Sequence, residues 1–113
     1  MGQSALHLAA QMFTVTDVKR VTEAATLAVR EQAVEANGTS GNYQITLPPV
    51  ADANGRIYAV YLHTAGGNTV TVASGEAAPQ ITAALTADDD FVLAFAFGGR
   101  WYLLETTIGG TRS

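Results

Sequence analysis

From Asn37 onward, the chain consists of short apolar-rich segments separated by turn-forming residues. Pairs such as Asn-Gly, Pro-Pro and Gly-Gly interrupt segments that are rich in valine, isoleucine, threonine, tyrosine and phenylalanine. Regular punctuation of this kind is typical of all-β sandwiches and barrels. The pattern therefore predicts an all-β fold, namely a small antiparallel β-sandwich or jelly-roll-like domain. Alternation does not encode strand order, so the choice between a jelly roll and a simpler sandwich stays open.

The segments between the turns alternate as strands do, with successive side chains on opposite faces. Residues 57–63 are apolar on both faces, which is typical of a central strand or of a strand with one face in an interface. The proline pair after residue 47 ends a ladder, because proline has no N–H to donate. The alternation predicts strands at residues 42–47, 57–63, 68–73 and 80–87.

The last hairpin is the clearest local feature of the sequence. Residues 91–97 place three phenylalanines and a leucine on one face, and smaller side chains on the other. We expect the aromatic face to lie in the core. Gly98 and Gly99 supply the positive φ angles of a tight turn, after which residues 100–106 return as a second strand. We interpret the pair Gly66-Gly67 as another hairpin turn.

Residues 21–36 can be interpreted in two ways. They contain good helix formers, but their apolar positions form no stripe at helical spacing. Leu27 and Val29 alternate, and Val34 and Ala36 alternate in the opposite phase. This favours two short strands joined by a bulge or turn near residues 30–32.

Composition excludes several classes of protein. A chain of 113 residues is long enough for one domain. With 48% hydrophobic residues it is too apolar for disorder, and it lacks the run of about 18 apolar residues that a membrane span needs. A net charge of −4 argues against nucleic-acid binding, which requires clustered basic residues. The absence of cysteine excludes disulfides and thiol chemistry.

The sequence contains no catalytic constellation. Residues 88–90 are three consecutive aspartates, but they lack the glycine and distal glutamate of a known calcium loop. We interpret them as a solvated acidic loop that discourages edge-to-edge association. His63 closes a strand and is expected to be satisfied or exposed there. We therefore expect a protein that is not an enzyme, with no catalytic residue, no cofactor and no metal site.

Four aromatic residues could contact a ligand or another subunit. Tyr58 and Tyr61 lie on opposite faces of their predicted strand, as do Trp101 and Tyr102, so one of each pair faces outward or toward a partner. A sugar-stacking platform is one interpretation. Packing between subunits explains the same residues without a ligand, and it favours Tyr58, Tyr61 and Trp101 as interface residues.

The amino-terminal residues form a mildly apolar segment without turn residues. Its first basic residue, Lys19, follows the apolar stretch, so we expect no secretory signal. We interpret residues 1–20 as an arm and residues 21–113 as the β-sandwich domain. The arm could dock on its own domain or on a partner chain. Its candidate contact residues are Leu6, Leu8, Met12, Phe13 and Val15.

About two thirds of the chain, from near Leu27 to Glu105, resembles a small β-sandwich module of tailed-bacteriophage virion proteins. The module has a strand ending in Leu-Pro-Pro, a glycine-containing loop, a Gly-Asn turn before a Thr-Val-Thr strand, and a closing hairpin with Trp-Tyr. The corresponding residues here are Leu47-Pro48-Pro49, Asn54-Gly55-Arg56, Gly67-Asn68-Thr69-Val70-Thr71-Val72 and Gly98-Gly99-Arg100-Trp101-Tyr102.

The resemblance implies a structural role. A nearly solitary module with a short apolar arm is most like a capsid decoration (cement) protein, located on the outer capsid surface of the virion. Such proteins commonly form trimers. The expected partners are therefore the major capsid protein and two further copies of this chain, with no nucleic acid and no membrane. The alternative is a receptor-binding or tip module of a tail fibre that recognises a host glycan or protein. A small hydrolase has no support in the sequence.

Overall fold

The chain alternates between two β-sheets. The computed structural model describes residues 18–107, which contain nine strands and one helical turn. The helix Val50–Ala53 (α1) lies between the fourth and fifth strands. The prediction of an all-β fold is confirmed. The strands are Val18–Val21 (β1), Ala25–Thr26 (β2), Ala33–Asn37 (β3), Tyr43–Thr46 (β4), Ile57–Thr64 (β5), Val70–Ala73 (β6), Thr82–Leu85 (β7), Phe91–Phe97 (β8) and Arg100–Thr107 (β9).

The first six strands form a coil. Among β1 to β6, the odd-numbered strands lie in a five-stranded sheet of order β1-β3-β5-β8-β9. The even-numbered strands lie in a four-stranded sheet of order β2-β4-β6-β7. Successive strands of this coil in the same sheet are parallel, as in the pairs β1–β3, β3–β5, β2–β4 and β4–β6. The last three strands then reverse, and β7, β8 and β9 pair antiparallel with β6, β5 and β8. Both sheets are therefore mixed.

The antiparallel arrangement predicted from the sequence is not confirmed. Strands that follow each other in the chain pair antiparallel when they share a sheet, but β1 to β6 change sheet at every connection. The turn at Gly66-Gly67 illustrates the difference, because it connects β5 to β6 in the other sheet and is not a hairpin. The turn at Gly98-Gly99 does close a hairpin, with φ angles of 61° and 80° and with Phe97 opposite Arg100.

Two glycines allow adjacent turns of the coil to stack closely. A Cβ atom on Gly38, which follows β3, would lie 2.7 Å from the carbonyl oxygen of Ala65, which follows β5. A Cβ atom on Gly75, just beyond β6, would lie 2.5 Å from the carbonyl oxygen of Leu47, which follows β4. Each glycine thus lies at the end of a strand, where the backbones of two successive turns of the coil approach each other closely.

The hydrophobic core contains side chains from both sheets. On β8 the core residues are the small ones, Val92, Ala94 and Ala96, so the aromatic stripe on that strand faces away from the second sheet. The stripe therefore lies outside the core between the sheets, although its first two residues, Phe91 and Leu93, are buried as expected. The reason is steric, because Tyr58 lies opposite Ala94 and Trp101 lies opposite Ala96, and both large rings belong to the core.

The ambiguous segment forms strands, as predicted. It contains β2 and β3, with a turn at Val29 and Arg30 between them. Leu27 is buried, and its N–H donates to the carbonyl oxygen of Thr46 at 2.8 Å. The chain therefore crosses from one sheet to the other within a few residues, too few for a helix of ordinary length.

The arm predicted at residues 1–20 lies largely outside the described residues. Its last three residues, 18–20, belong to β1, which pairs with β3. The five candidate arm contacts all lie in residues 1–17 and are outside the described part of the chain. The same holds for residues 108–113.

Candidate interaction surface

Two of the three predicted subunit contacts lie inside the core of their own chain. Tyr58 and Trp101 are buried, and their rings meet edge to face with centroids 5.5 Å apart. The Tyr58 hydroxyl donates to the carbonyl oxygen of Val29, and burial raises the pKa of that hydroxyl. Neither of these two side chains therefore offers surface to another subunit.

Glu76 connects Trp101 to the start of α1. Its Oε2 accepts the indole N–H of Trp101 at 3.2 Å and the backbone N–H of Val50 at 2.6 Å. Burial raises the pKa of the Glu76 carboxyl, but hydrogen bonds, including one with Ser74, outweigh it and hold that pKa below its ordinary value. Its other oxygen, Oε1, is buried without a hydrogen bond to the described residues. This carboxylate has a structural role, because it joins β9 to the connections after β4 and β6.

Tyr61 is half-buried, and its hydroxyl donates to Oδ1 of Asp89 in the acidic loop. The adjacent aspartates also bond to the protein. Asp88 Oδ1 accepts the N–H of Ala65 at 2.8 Å. The interpretation of this loop as solvated is corrected for Asp90, which is fully buried. Its Oδ2 accepts the N–H groups of residues 86 and 87 at 2.8 and 3.0 Å. The aspartates thus hold the loop between β7 and β8 against the sheet.

Within residues 18–107, no group of three or more histidine, aspartate or glutamate side chains is arranged to hold a metal ion. His63 is exposed at the end of its strand, as expected, and its Nδ1 lies 2.9 Å from the hydroxyl of Thr64. The helical part of the described chain contains no segment long and apolar enough to cross a membrane.

The largest exposed apolar side chains cluster at the β9 edge of the five-stranded sheet. We call this group the apolar edge. Strand β9 is the last of its sheet, so one side of its backbone faces no strand of residues 18–107. The members of the apolar edge, with their exposed fractions, are Phe97 at 58%, Tyr102 at 45%, Leu103 at 42% and Leu104 at 45%.

Strand register explains why β9 is apolar on both faces. Tyr102 pairs with Phe95 on the outer face of the sheet, whereas Leu103 pairs with Ala94, which belongs to the core face. The register then shifts, because Leu93 pairs with Glu105, and Leu104 is the extra residue of a bulge. Phe97 extends the surface from β8, with its ring stacked on Phe95 at 5.8 Å.

The opposite edge of the same sheet is charged. On β1, Lys19 Nζ lies 3.3 Å from Glu31 Oε2, and Arg20 Nε lies 3.5 Å from Glu35 Oε1. Charged side chains on an edge strand discourage another strand from pairing with it. The charged side chains of the β1 edge therefore discourage pairing with another strand. The apolar side chains of the β9 edge instead favour contact with another surface.

Sequence reasoning found one residue of this surface, because it predicted that one of Trp101 and Tyr102 faces outward, and it missed the other three. The run Tyr102, Leu103 and Leu104 is visible in the sequence, but consecutive apolar residues do not say whether a strand is central or at an edge. No protein-family model matches the chain, and no curated protein matches it.

Proposed function

We propose that this protein is a structural component of a bacteriophage virion, a capsid decoration protein that binds the outer surface of the major capsid protein shell. The observation that carries the proposal is the apolar edge, where four large exposed apolar side chains lie on or beside β9, a strand whose outer side faces no strand of residues 18–107. Exposed large apolar side chains grouped at one edge of a small protein mark a candidate site of protein–protein contact. An edge strand adds backbone hydrogen bonds to such a contact when a partner strand pairs with it.

The mechanism is stabilisation of the assembled shell. A protein that binds adjacent subunits only in the assembled state shifts the equilibrium toward assembly by its differential affinity. The binding residues are the apolar edge, which keeps a fixed shape because β9 is anchored through Trp101 and Glu76. No step in this mechanism requires a cofactor or a bond-breaking reaction.

We further propose that the two sheets face each other as a sandwich and that three copies associate. The sandwich is supported by the single core cluster, which includes side chains of both sheets. The trimer rests on the resemblance to decoration proteins, which commonly form trimers, and its contacts lie away from the apolar edge that binds the shell. Three linked copies then bind the shell at high effective concentration, and individually weak contacts suffice.

The proposal is tested by binding of the purified chain to shells of the source phage assembled without it. The variant Leu103→Lys with Leu104→Lys places two charges on the apolar edge. We expect it to lose shell binding by at least about tenfold, which corresponds to about 1.4 kcal/mol, while its thermal unfolding stays unchanged.

The matched control places two lysines on the edge strand of the other sheet, at the exposed positions Thr82 and Ala84. It should bind as the wild type does. Equal binding by both variants would contradict the assignment of the apolar edge. Copy number per particle tests the location: hundreds of copies support a shell protein, and a handful would indicate a tail component and overturn the proposal.

A further inference from the structure

The outer face of the five-stranded sheet, which is turned away from the second sheet, contains a row of almost completely buried residues. Ala33 is 0% exposed, Ala59 is 2% exposed and Leu93 is 1% exposed. The three are cross-strand neighbours, because Ala33 pairs with Ala59 and Ala59 pairs with Leu93. None of them belongs to the core cluster between the sheets.

This row forms the floor of a shallow groove. Larger side chains border it on both sides, since Tyr61 and Phe91 form the next pair along the strands in one direction and Ile57 and Phe95 form the next pair in the other. Alanines between large neighbours leave room for side chains that enter from above the sheet. The groove fades toward the end of β8, because Phe97 on the same face is exposed.

Burial this complete requires a covering layer. A leucine on an open sheet face keeps part of its surface in water, because strands flank it only within the plane of the sheet. The second sheet and α1 contribute their buried residues to the core on the other face. Among residues 18–107, therefore, no strand or helix forms a layer over the groove. The layer over the groove therefore comes from outside the strands and the helix of residues 18–107.

Two segments of the chain lie outside the described residues, and the amino-terminal one fits the groove better. Residues 108–113 contain one large apolar residue, Ile108, whereas residues 1–17 contain six. The amino-terminal segment also ends at the groove. The next residue, Val18, pairs with Ala33 and so belongs to the same cross-strand row. That row runs from Val18 on β1 through Ala33 and Ala59 to Leu93 on β8.

The segment is long enough to cover the groove. Three strand spacings of about 4.8 Å separate β1 from β8, a distance of roughly 14 Å. Seventeen residues span about 25 Å as a helix and more when extended, so either conformation reaches across β3 and β5. The reach and the apolar content of the segment thus agree with the size and the chemistry of the groove.

We propose that residues 1–17 dock in this groove of their own chain and complete its second hydrophobic layer. Leu6, Leu8 and Phe13 are among the side chains that supply the apolar contact. The arm is then part of the domain and stabilises it, which is the first of the two alternatives that the sequence leaves open. The inference does not depend on the proposed function, which rests on the β9 edge.

The test uses a spin label on the full-length chain. Because the chain has no cysteine, Gln11→Cys provides a single attachment site in the segment. We expect loss of the methyl signals of Ala59 and Leu93 through paramagnetic broadening, while Val70 and Val72 in the other sheet keep theirs. Equal broadening in both sheets, or none in either, would overturn the proposal.

A mixed sample distinguishes docking within one chain from exchange between chains. Isotope-labelled chains without the cysteine are combined with unlabelled chains that have the spin label, after joint unfolding and refolding. Docking within the chain predicts that the methyl signals of Ala59 and Leu93 remain in this mixture. Their loss would show that the segment binds a second copy, and would contradict the proposal.

A substitution variant gives an independent readout. We replace Leu6, Leu8 and Phe13 by serine and compare it with a control in which Gln3, Thr14 and Thr16 become alanine. The serine variant should gain solvent accessibility at Leu93 while the emission of Trp101, which lies in the other layer, stays unchanged; the control should change neither. Unchanged accessibility at Leu93 would overturn the proposal. If the serine variant fails to fold, the spin-label measurement on the full chain decides.

Discussion

The rings of Tyr58 and Trp101 meet edge to face across an intervening strand, with their planes inclined at 66°. Tyr58 lies on β5 and Trp101 on β9, and β8 separates them in the sheet. The contact is sterically allowed because the residues of β8 beside them are Ala94 and Ala96. This arrangement connects the edge strand to the centre of its sheet, and so it positions the apolar edge.

The first prediction concerns the stability that Trp101 provides. Trp101→Ala removes the ring contact with Tyr58 and the hydrogen bond to Glu76. We expect the free energy of unfolding to fall by about 3–5 kcal/mol, as for other buried aromatic residues. Urea unfolding followed by circular dichroism measures it.

The control for this prediction is the adjacent aromatic residue. Tyr102 is nearly half exposed on the opposite face of β9, so Tyr102→Ala should reduce the free energy of unfolding by less than about 1 kcal/mol. Similar losses for the two variants would mean that Trp101 is not the anchor of this strand. Trp101 is also a poor choice for testing glycan binding by substitution, because its removal disturbs the core.

The second prediction tests the stacked corners of the coil. Gly75→Ala places a methyl group 2.5 Å from the carbonyl oxygen of Leu47, and backbone atoms cannot move aside cheaply. Overpacking of this kind costs about 1–3 kcal/mol, and we expect Gly75→Ala to lower the unfolding free energy by that amount in thermal or urea unfolding. Gly38→Ala should behave similarly because of Ala65.

The matched control is Gly55→Ala. At that position the space is open, and the positive φ of 86° is the sole penalty, worth about 1–2 kcal/mol. If Gly75→Ala and Gly38→Ala were as stable as the wild type, the close stacking of parallel turns would be contradicted. These two glycines therefore distinguish a coiled arrangement from a simple meander.

Local signals made some elements predictable from the sequence. The hairpin of β8 and β9 was predicted with its boundaries nearly intact, because Gly98 and Gly99 determine a tight turn without reference to the rest of the fold. The strands themselves follow from alternation. Which strands pair could not be predicted, since the parallel partners of β3 and β4 lie a full turn of the coil away along the chain.

The faces of β8 show why alternation alone misleads. It separated the phenylalanines from Val92, Ala94 and Ala96 correctly, but burial preference assigned the larger residues to the core. The small residues face the core because Tyr58 and Trp101 already occupy that space. The position of the apolar edge was unpredictable for a related reason, because it depends on β9 being the last strand of its sheet.

The third prediction concerns the buried aspartate of the acidic loop. Asp90→Ala removes the acceptor for the N–H groups of residues 86 and 87. Leaving such a group unpaired costs about 1–3 kcal/mol, and hydrogen exchange of these two amides should accelerate along with the loss of stability. Asp52→Ala, at an exposed position in α1, should change neither measurement. Slow exchange at both amides in Asp90→Ala would refute the role assigned to this carboxylate.

The last prediction follows from the charge state of Glu76. Two N–H groups, from Val50 and Trp101, point at Oε2, and such donors favour the ionised form of a carboxyl. Its pKa is lower in the folded protein than its ordinary value of 4.5. A lowered folded-state pKa stabilises the fold above the unfolded-state pKa, and this stabilisation disappears as the pH falls through the folded-state pKa.

The free energy of unfolding should therefore decrease as the pH falls through and below 4.5, the ordinary pKa of this carboxyl. Glu76→Gln keeps an acceptor oxygen but cannot ionise, so it should be less stable than the wild type at pH 7 and should lose less stability on acidification. Urea unfolding at several pH values measures both effects. Glu23→Gln, which removes one negative charge from an exposed position, serves as the control and should follow the wild-type curve. Parallel curves for Glu76→Gln and the wild type would contradict a stabilising charge at Glu76. The carboxylate matters here because it holds β9 to the rest of the domain, so acid should weaken the anchoring of the apolar edge.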